Sequence, residues 1–144
     1  MPDPRHKARE LVLQALYEMD VAGHESAGAL DRLIEEEGLS SQGARFARRL
    51  LSGVVERRAE IDAVIERTAP LWPAEQLAPV DRNILRIAIR EFLLDNLTPV
   101  RAAINEAVEL AKSFGSDNSP RFVNGVLGSL SEVGKPAASQ QEVQ

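Results

Sequence analysis

The chain has 144 residues, 44% of them hydrophobic and 4% aromatic, no cysteine, and a formal net charge of −5. That length suits one compact domain, or two small subdomains on a shared core, and buries roughly two-thirds of the unfolded surface without a disulfide or metal staple. The lack of cysteine excludes a disulfide framework, a thiolate metal site and a cysteine nucleophile together, and it fits a reducing compartment.

Scarce aromatics, missing strand signals and the dominance of Ala, Leu, Glu and Arg predict an all-α chain. The first helix begins after Pro4. Its apolar residues Ala8, Leu11, Val12, Ala15, Leu16 and Met19 recur at the spacing of one buried stripe, and Gly23 ends it. A second, more acidic helix covers roughly 27–37, with Leu30, Leu33 and Ile34 inward and Gly38 as its stop. Ser40 or Ser41 is the expected N-cap of a long third helix. Its inward residues Phe46, Leu50, Val54, Ile61, Val64 and Ile65 carry it to just before Pro70.

Ala69-Pro-Leu-Trp-Pro reads as a hinge and subdomain boundary, since each proline disfavours helix in the residue before it. A short turn is expected at Ala74 to Leu77. Pro79 then opens a very apolar helix in which Val80, Ile84, Leu85, Ile87, Ala88, Ile89 and Phe92 cover most of the circumference, so this helix is predicted to be central. Thr98-Pro99 predicts a cap followed by a first-turn proline for the next helix. Its stripe is Val100, Ala103, Ile104, Ala107, Val108, Ala111 and Phe114, with Gly115 as C′ residue. After the turn Ser116-Asp-Asn-Ser-Pro, Ser119 or Asn118 caps a last helix with Phe122, Val123, Val126, Leu127 and Leu130 inward. The expected organisation is one domain over 1–133, with subdomains of about 4–69 and 73–133, and a disordered polar tail over 134–144.

No stretch approaches the ~18 to 20 uninterrupted apolar residues of a membrane span. No apolar run of signal-peptide length follows Met1-Pro-Asp-Pro-Arg-His-Lys, so a cytoplasmic location without membrane contact is expected. Chemistry is poorly supported. His6 and His24 stand apart from any carboxylate pair at helical spacing, and there is neither a glycine-rich phosphate loop nor a serine elbow. Glu91 and Glu106 are expected to pair with an arginine or to cap a helix, because buried carboxylates need such partners. Asn105 and Asn124 are expected to be structural hydrogen-bonders. No enzyme activity, catalytic residue, metal or cofactor is therefore expected.

The negative charge sum hides a segregation. Residues 1–9 carry Arg5, Lys7 and Arg9 against Asp3; residues 20–37 carry Asp20, Glu25, Asp31, Glu35, Glu36 and Glu37 against Arg32; residues 41–58 carry Arg45, Arg48, Arg49, Arg57 and Arg58 against Glu56. A basic patch can thus sit on an acidic whole. Arg5-His6-Lys7-Ala8-Arg9 lies on and just before the first turn of the first helix, where cations oppose the macrodipole, and it is positioned for phosphates. At the other end of the chain Asn118, Ser119, Arg121 and Phe122 crowd the start of the last helix. Exposed N–H groups there favour an anion, and an aromatic beside an arginine can hold a single-stranded base. The structural alternative is that Phe122 is simply the first core residue of its helix.

These residues also carry a resemblance. Ala102-Ala-Ile-Asn-Glu-Ala-Val-Glu-Leu-Ala-Lys-Ser-Phe-Gly115, then Ser119 and Phe122-Val-Asn-Gly-Val-Leu127, resembles the signature of the NusB family. Arg9-Glu with Gln14-Ala-Leu-Tyr17, Phe46 with Leu50 and Ser52-Gly-Val54, and Asp81 with Ile84-Leu-Arg-Ile-Ala88 and Glu91 follow in the family's order. The resemblance spans about residues 5–130. It implies about seven helices in two helical subdomains, and a transcription antitermination factor that binds boxA-type single-stranded RNA, especially in ribosomal RNA leaders. It implies as partner the small-subunit ribosomal protein also called NusE, within a complex that keeps RNA polymerase elongating. Family RNA contacts carry onto Arg5, His6, Lys7 and Arg9, and onto Asn118, Arg121 and Phe122; the NusE contact carries onto Asp81.

His6 and Lys7 replace arginines often seen in the cluster. Asn118 stands where aspartate is common, which removes a negative charge beside the expected RNA path and should strengthen binding. Two rivals stay open: the NusB-like domain of an RNA methyltransferase, and a helical module that binds protein alone. Monomer and homodimer are both compatible with the sequence, and a dimer could cover the Arg5–Arg9 surface.

Overall fold

A computed structural model describes residues 3–69 and 76–133, and within them the chain is all-helical. Seven α-helices follow in order: α1 Pro4–Ala22, α2 Ser26–Glu37, α3 Ser41–Glu56, α4 Arg58–Thr68, α5 Pro79–Ile89, α6 Val100–Phe114 and α7 Ser119–Val133. The expected hinge and turn fall largely at 70–75, and the expected tail at 134–144, outside the described residues.

Local chemistry explains most of the boundaries. Asp3 Oδ1 accepts the Arg5 N–H at 3.0 Å, Pro4 occupies the first turn, and Gly23 closes α1 at φ 72°. Glu25 caps α2 through the N–H groups of Ala27 and Gly28, and Gly38 ends it at φ 63°. Ser40 Oγ accepts the Gly43 N–H at 3.1 Å and caps α3.

The long third helix is corrected to two. It breaks at Arg57 (φ −112°, ψ 22°), where no glycine or proline stands. The reason lies in the stripe. After Val54 the next inward positions would be 57 and 58, and both are arginines; the apolar run resumes only at Ile61. The break lets α4 bring Ile61, Val64 and Ile65 into the core in a new direction, against α5 and α7.

Helix α5 is central, as its composition predicts. Ile84, Leu85, Ile87, Ala88 and Ile89 are all buried, and the helix packs on α1, α3, α4, α6 and α7. Helix α1 packs on α2, α3 and α5, and α6 packs on α7, so helices from both expected subdomains share one hydrophobic core. Past Ile89 the helix widens into a π-turn over Arg90–Leu94. This turn directs Glu91 inward and lets Arg90 reach Asp95 at 2.7 Å.

Two further expectations are corrected by this segment and its sequel. Thr98 does not cap α6: the helix starts at Val100, and the Thr98 hydroxyl donates instead to Glu91 Oε1 at 2.9 Å. Gly115 follows α6 as expected but is extended (φ −94°, ψ −170°), not left-handed. Its glycine is required by proximity, because a Cβ there would lie 2.5 Å from Ser119 Oγ and 2.9 Å from the Ala111 carbonyl oxygen. No helix among the described residues is long and apolar enough to cross a membrane.

Candidate nucleic-acid interface

The basic start of α1 divides into an outer and an inner part. Arg5 is exposed, makes no ion pair among the described residues, and lies with its guanidinium 5.3 Å from the Phe46 ring centre. His6 stands between two carboxylates, with Nδ1 3.2 Å from Glu106 and Nε2 3.5 Å from Glu10. Lys7 Nζ is 3.0 Å from Glu37 and 3.4 Å from Glu10. The hydrogen bond to Glu37, aided by both negative charges, holds its ammonium above the usual lysine pKa despite the opposing desolvation.

Arg9 is different. It is buried, its Nε and Nη2 donate to the two oxygens of Glu91 at 2.8 and 2.7 Å, and Nη1 donates to Glu106 at 2.8 Å. Burial disfavours its charge, but the Glu91 hydrogen bond and the charges of Glu91 and Glu106 outweigh it, so Arg9 stays protonated. The expectation of a phosphate contact is therefore corrected for this residue: its donors are turned into the protein. Glu91 and Glu106 behave as expected, as arginine partners.

The start of α7 divides as well. Asn118 is exposed and Phe122 half-buried; both line a cleft of ≈ 410 Å³ with Leu77, Ala78 and Asp81. Asp81 lies in the first turn of α5, and its Oδ1 is buried without a hydrogen-bond partner among the described residues. The residue assigned to a protein partner and two of those assigned to RNA thus share one cleft. Arg121 lies elsewhere, in a groove of ≈ 480 Å³ with Asn105, Glu109, Lys112 and Asn124. Asn105 and Asn124 are exposed and their side chains make no hydrogen bond among the described residues, which corrects their reading as structural hydrogen-bonders.

Two exposed aromatics were not read as site residues from the sequence: Tyr17 entered only through the family resemblance, and Phe114, expected on the inward stripe of α6, is corrected to an exposed position at the helix end. Tyr17 and Phe114 are 40% and 37% exposed, enough to leave ring surface free, and they line a groove of ≈ 520 Å³ with Leu13, Gln14, Leu33 and Val80. Tyr17 lies off the apolar stripe of α1 and Phe114 at the very end of α6; those positions were the available signal. Solvent-facing aromatics beside a groove are platforms on which unpaired bases stack.

The chain is therefore an all-helical protein whose polar surface gathers arginine, exposed aromatics and amides around the ends of α1, α6 and α7. The pattern of the NusB family matches residues 6–132. A relative from Dehalococcoides mccartyi named transcription antitermination protein NusB is 49% identical over 99% of this chain and 99% of its own. One of the same name from Roseiflexus castenholzii is 51% identical over 90% of this chain and 93% of its own. Among solved structures, NusB of T. maritima superposes with a TM-score of 0.85 at 32% identity, covering 98% of this chain and 99% of that one. A chain from a crystal structure of antitermination factors NusB and NusE with double-stranded RNA gives 0.84 at 25% identity, covering 92% and 99%. The chain belongs to the NusB family.

Proposed function

We propose that this protein is a transcription antitermination factor that binds boxA-type single-stranded RNA jointly with ribosomal protein NusE. It acts in the cytoplasm, within the complex that keeps RNA polymerase elongating through ribosomal RNA operons, and performs no chemistry of its own. The observation that carries this reading is the shared cleft of Asp81, Asn118 and Phe122, where a protein partner and an RNA strand would meet side by side. Relatives matched over 99% of their own length are named as antitermination proteins, and a structural neighbour was crystallised with NusE and RNA. These names favour this reading over a methyltransferase fragment.

Arg5, Lys7 and Arg121 supply cations for the strand, and His6 lies beside them. Asn118 and Phe122 flank the partner, and Tyr17 and Phe114 offer stacking surface between the two ends. Arg9 contributes indirectly, by fixing the first turns of α1. The test is fluorescence anisotropy with a boxA-like RNA and a scrambled control, with and without NusE, at two salt concentrations. Tighter, salt-sensitive binding to boxA in the presence of NusE supports the reading. Equal binding of both RNAs under all conditions sinks boxA recognition, and binding of neither leaves the protein-only module.

A further inference from the structure

A cleft of ≈ 310 Å³ lies between the start of α1, the middle of α3 and the strand of chain leaving the π-turn. Of the RNA contacts assigned above, only Arg5 borders it. Its walls include Arg5, Phe46, Arg49, Asp95, Leu97 and Thr98. The volume is at the lower end of the roughly 300–1,000 Å³ of pockets that seat small organic groups.

Its charge is positive although carboxylates line it. Glu91 is neutralised by Arg9, and Asp95 by Arg90 at 2.7 Å. Arg5 and Arg49 lie on the cleft, and Arg45 follows one turn back along the exposed face of α3; none of the three has an ion-pair partner among the described residues. Arg9, Arg32, Arg48, Arg57, Arg82, Arg86 and Arg90 have one, while Arg58, Arg67, Arg101 and Arg121 also have none among the described residues, so it is the grouping of the three around one cleft that matters. On a chain of net charge −5, three neighbouring guanidiniums without carboxylates make a local anion site.

Its shape suits a flat ring. Phe46 is half-buried, and the guanidiniums of Arg5 and Arg9 lie 5.3 and 5.1 Å from its ring centre. Arg9 is fixed by its carboxylates, so the ring has a rigid support, while Arg5 is an exposed planar group able to stack in its turn. Leu97, 62% exposed, offers an apolar surface that nothing among the described residues covers. Asp95 and Thr98 place oxygen acceptors in the same walls. A flat face, polar edges and flanking phosphates are the features of a nucleotide.

We propose that this cleft is a second RNA subsite. It seats one unpaired nucleotide flanking the segment bound by the ends of α1 and α7, with the base against Phe46 and Arg5 and the neighbouring phosphates on Arg45 and Arg49. The inference rests on the RNA-binding reading above.

The test uses the full chain with a boxA-like core RNA, and with the same RNA carrying a short unstructured extension at either end. One extension should tighten binding about tenfold, the scale of one stacked base with its phosphates. The double variant Arg45→Ala/Arg49→Ala should abolish that gain and lower the salt slope on the extended RNA by about 1.4, at about 0.7 per phosphate. It should leave core RNA binding and the melting temperature unchanged. A photoreactive base in the extension should crosslink to the peptides that hold Phe46 or Leu97. No gain from either extension, an equal loss on core and extended RNA, or crosslinks confined to other helices would each overturn the subsite while leaving core binding intact. Failure of the core RNA to bind at all would overturn the underlying reading and the subsite with it.

Discussion

The guanidinium of Arg9 and the carboxylate of Glu91, 82 residues apart in sequence, form a two-pronged buried ion pair with N–O distances of 2.8 and 2.7 Å. It ties the first turns of α1 to the π-turn after α5, and Thr98 and Glu106 occupy remaining positions around it. Removing Arg9 strands the Glu91 charge in the interior, which costs about 3–5 kcal/mol, whereas removing Glu91 leaves Arg9 with Glu106 at 2.8 Å and costs less. Arg9→Ala and Glu91→Ala should each lower the urea midpoint accordingly. Arg9→Met/Glu91→Leu should be more stable than either single variant, because no unpaired charge of that pair remains. Additive losses in the double variant would show that the pair is not energetically coupled.

Arg5, one helical turn earlier, should give the opposite phenotype. Its charge faces solvent without a carboxylate, so Arg5→Ala should change stability by no more than about 0.5 kcal/mol. RNA affinity should fall, and the slope of log K against log salt should shrink by about 0.7. Unchanged affinity and slope would remove Arg5 from the interface.

That contrast shows where the sequence was legible. The apolar stripes of α1 and α5 were readable because burial enforces a 3.6-residue period, and α5 could be called central from its composition alone; in α6 the middle of the stripe is buried, but Val100 and Phe114 at its two ends are exposed. Arg5-His6-Lys7-Ala8-Arg9 reads as one cationic run, yet helical geometry splits it. Leu13, left out of the stripe, is buried, and with it the inward face widens to include Arg9 four residues before. The break at Arg57 carried no glycine or proline, only two arginines where apolar residues were due. Thr98 looked like a cap, and its distant acceptor, Glu91, comes into reach through the π-turn. The shared cleft of Asp81, Asn118 and Phe122 depends on how α5 and α7 pack, which no local pattern encodes.

Lys7 is restrained by Glu37 at 3.0 Å, and both side chains are about two-fifths exposed. Such a pair contributes only about 0–1 kcal/mol to stability, so Glu37→Gln should fold normally. It leaves the ammonium with Glu10 at 3.4 Å as its one remaining carboxylate among the described residues, and removes a negative charge beside the proposed RNA path. RNA binding should tighten a few-fold, most clearly at low salt. Binding that is unchanged at low salt would mean that the strand does not pass Lys7.

Acid sensitivity should centre on Asp20. Burial pushes its carboxyl pKa up, but the Asn83 hydrogen bond and the charges and hydrogen bonds of Arg86 and Arg82 outweigh this and leave it below 3.8. A depressed folded-state value stabilises the fold above the ordinary carboxyl pKa, and that contribution disappears as pH falls through the lower folded value. Asp20→Asn should therefore be less stable than wild type at neutral pH, and the gap should narrow below pH 3.8. Urea midpoints at neutral and strongly acidic pH provide the measurement; a gap independent of pH would remove Asp20 as a source of acid sensitivity.

Two glycines near the start of α7 should respond in opposite directions to the same substitution. At Gly115 a Cβ would meet Ser119 Cβ and Oγ at 2.5 Å and the Ala111 carbonyl oxygen at 2.9 Å. These atoms belong to backbone or lie next to it, so the turn itself must move, at a cost of about 1–3 kcal/mol. Ser119 Oγ also accepts the Ser116 N–H at 2.9 Å, and this bond closes the turn that carries Asn118. Gly115→Ala should therefore lower the melting temperature and also weaken binding at the Asp81–Asn118–Phe122 cleft. Gly125 lies within α7 with nothing inside 4 Å of the added methyl. There Gly125→Ala should stabilise the helix by roughly 0.5–1 kcal/mol, because alanine loses less backbone freedom on folding. Scanning calorimetry of the two variants, paired with RNA titration, separates the effects. A Gly115→Ala protein as stable as wild type would show that the turn accommodates the methyl, and close approach would no longer explain the glycine.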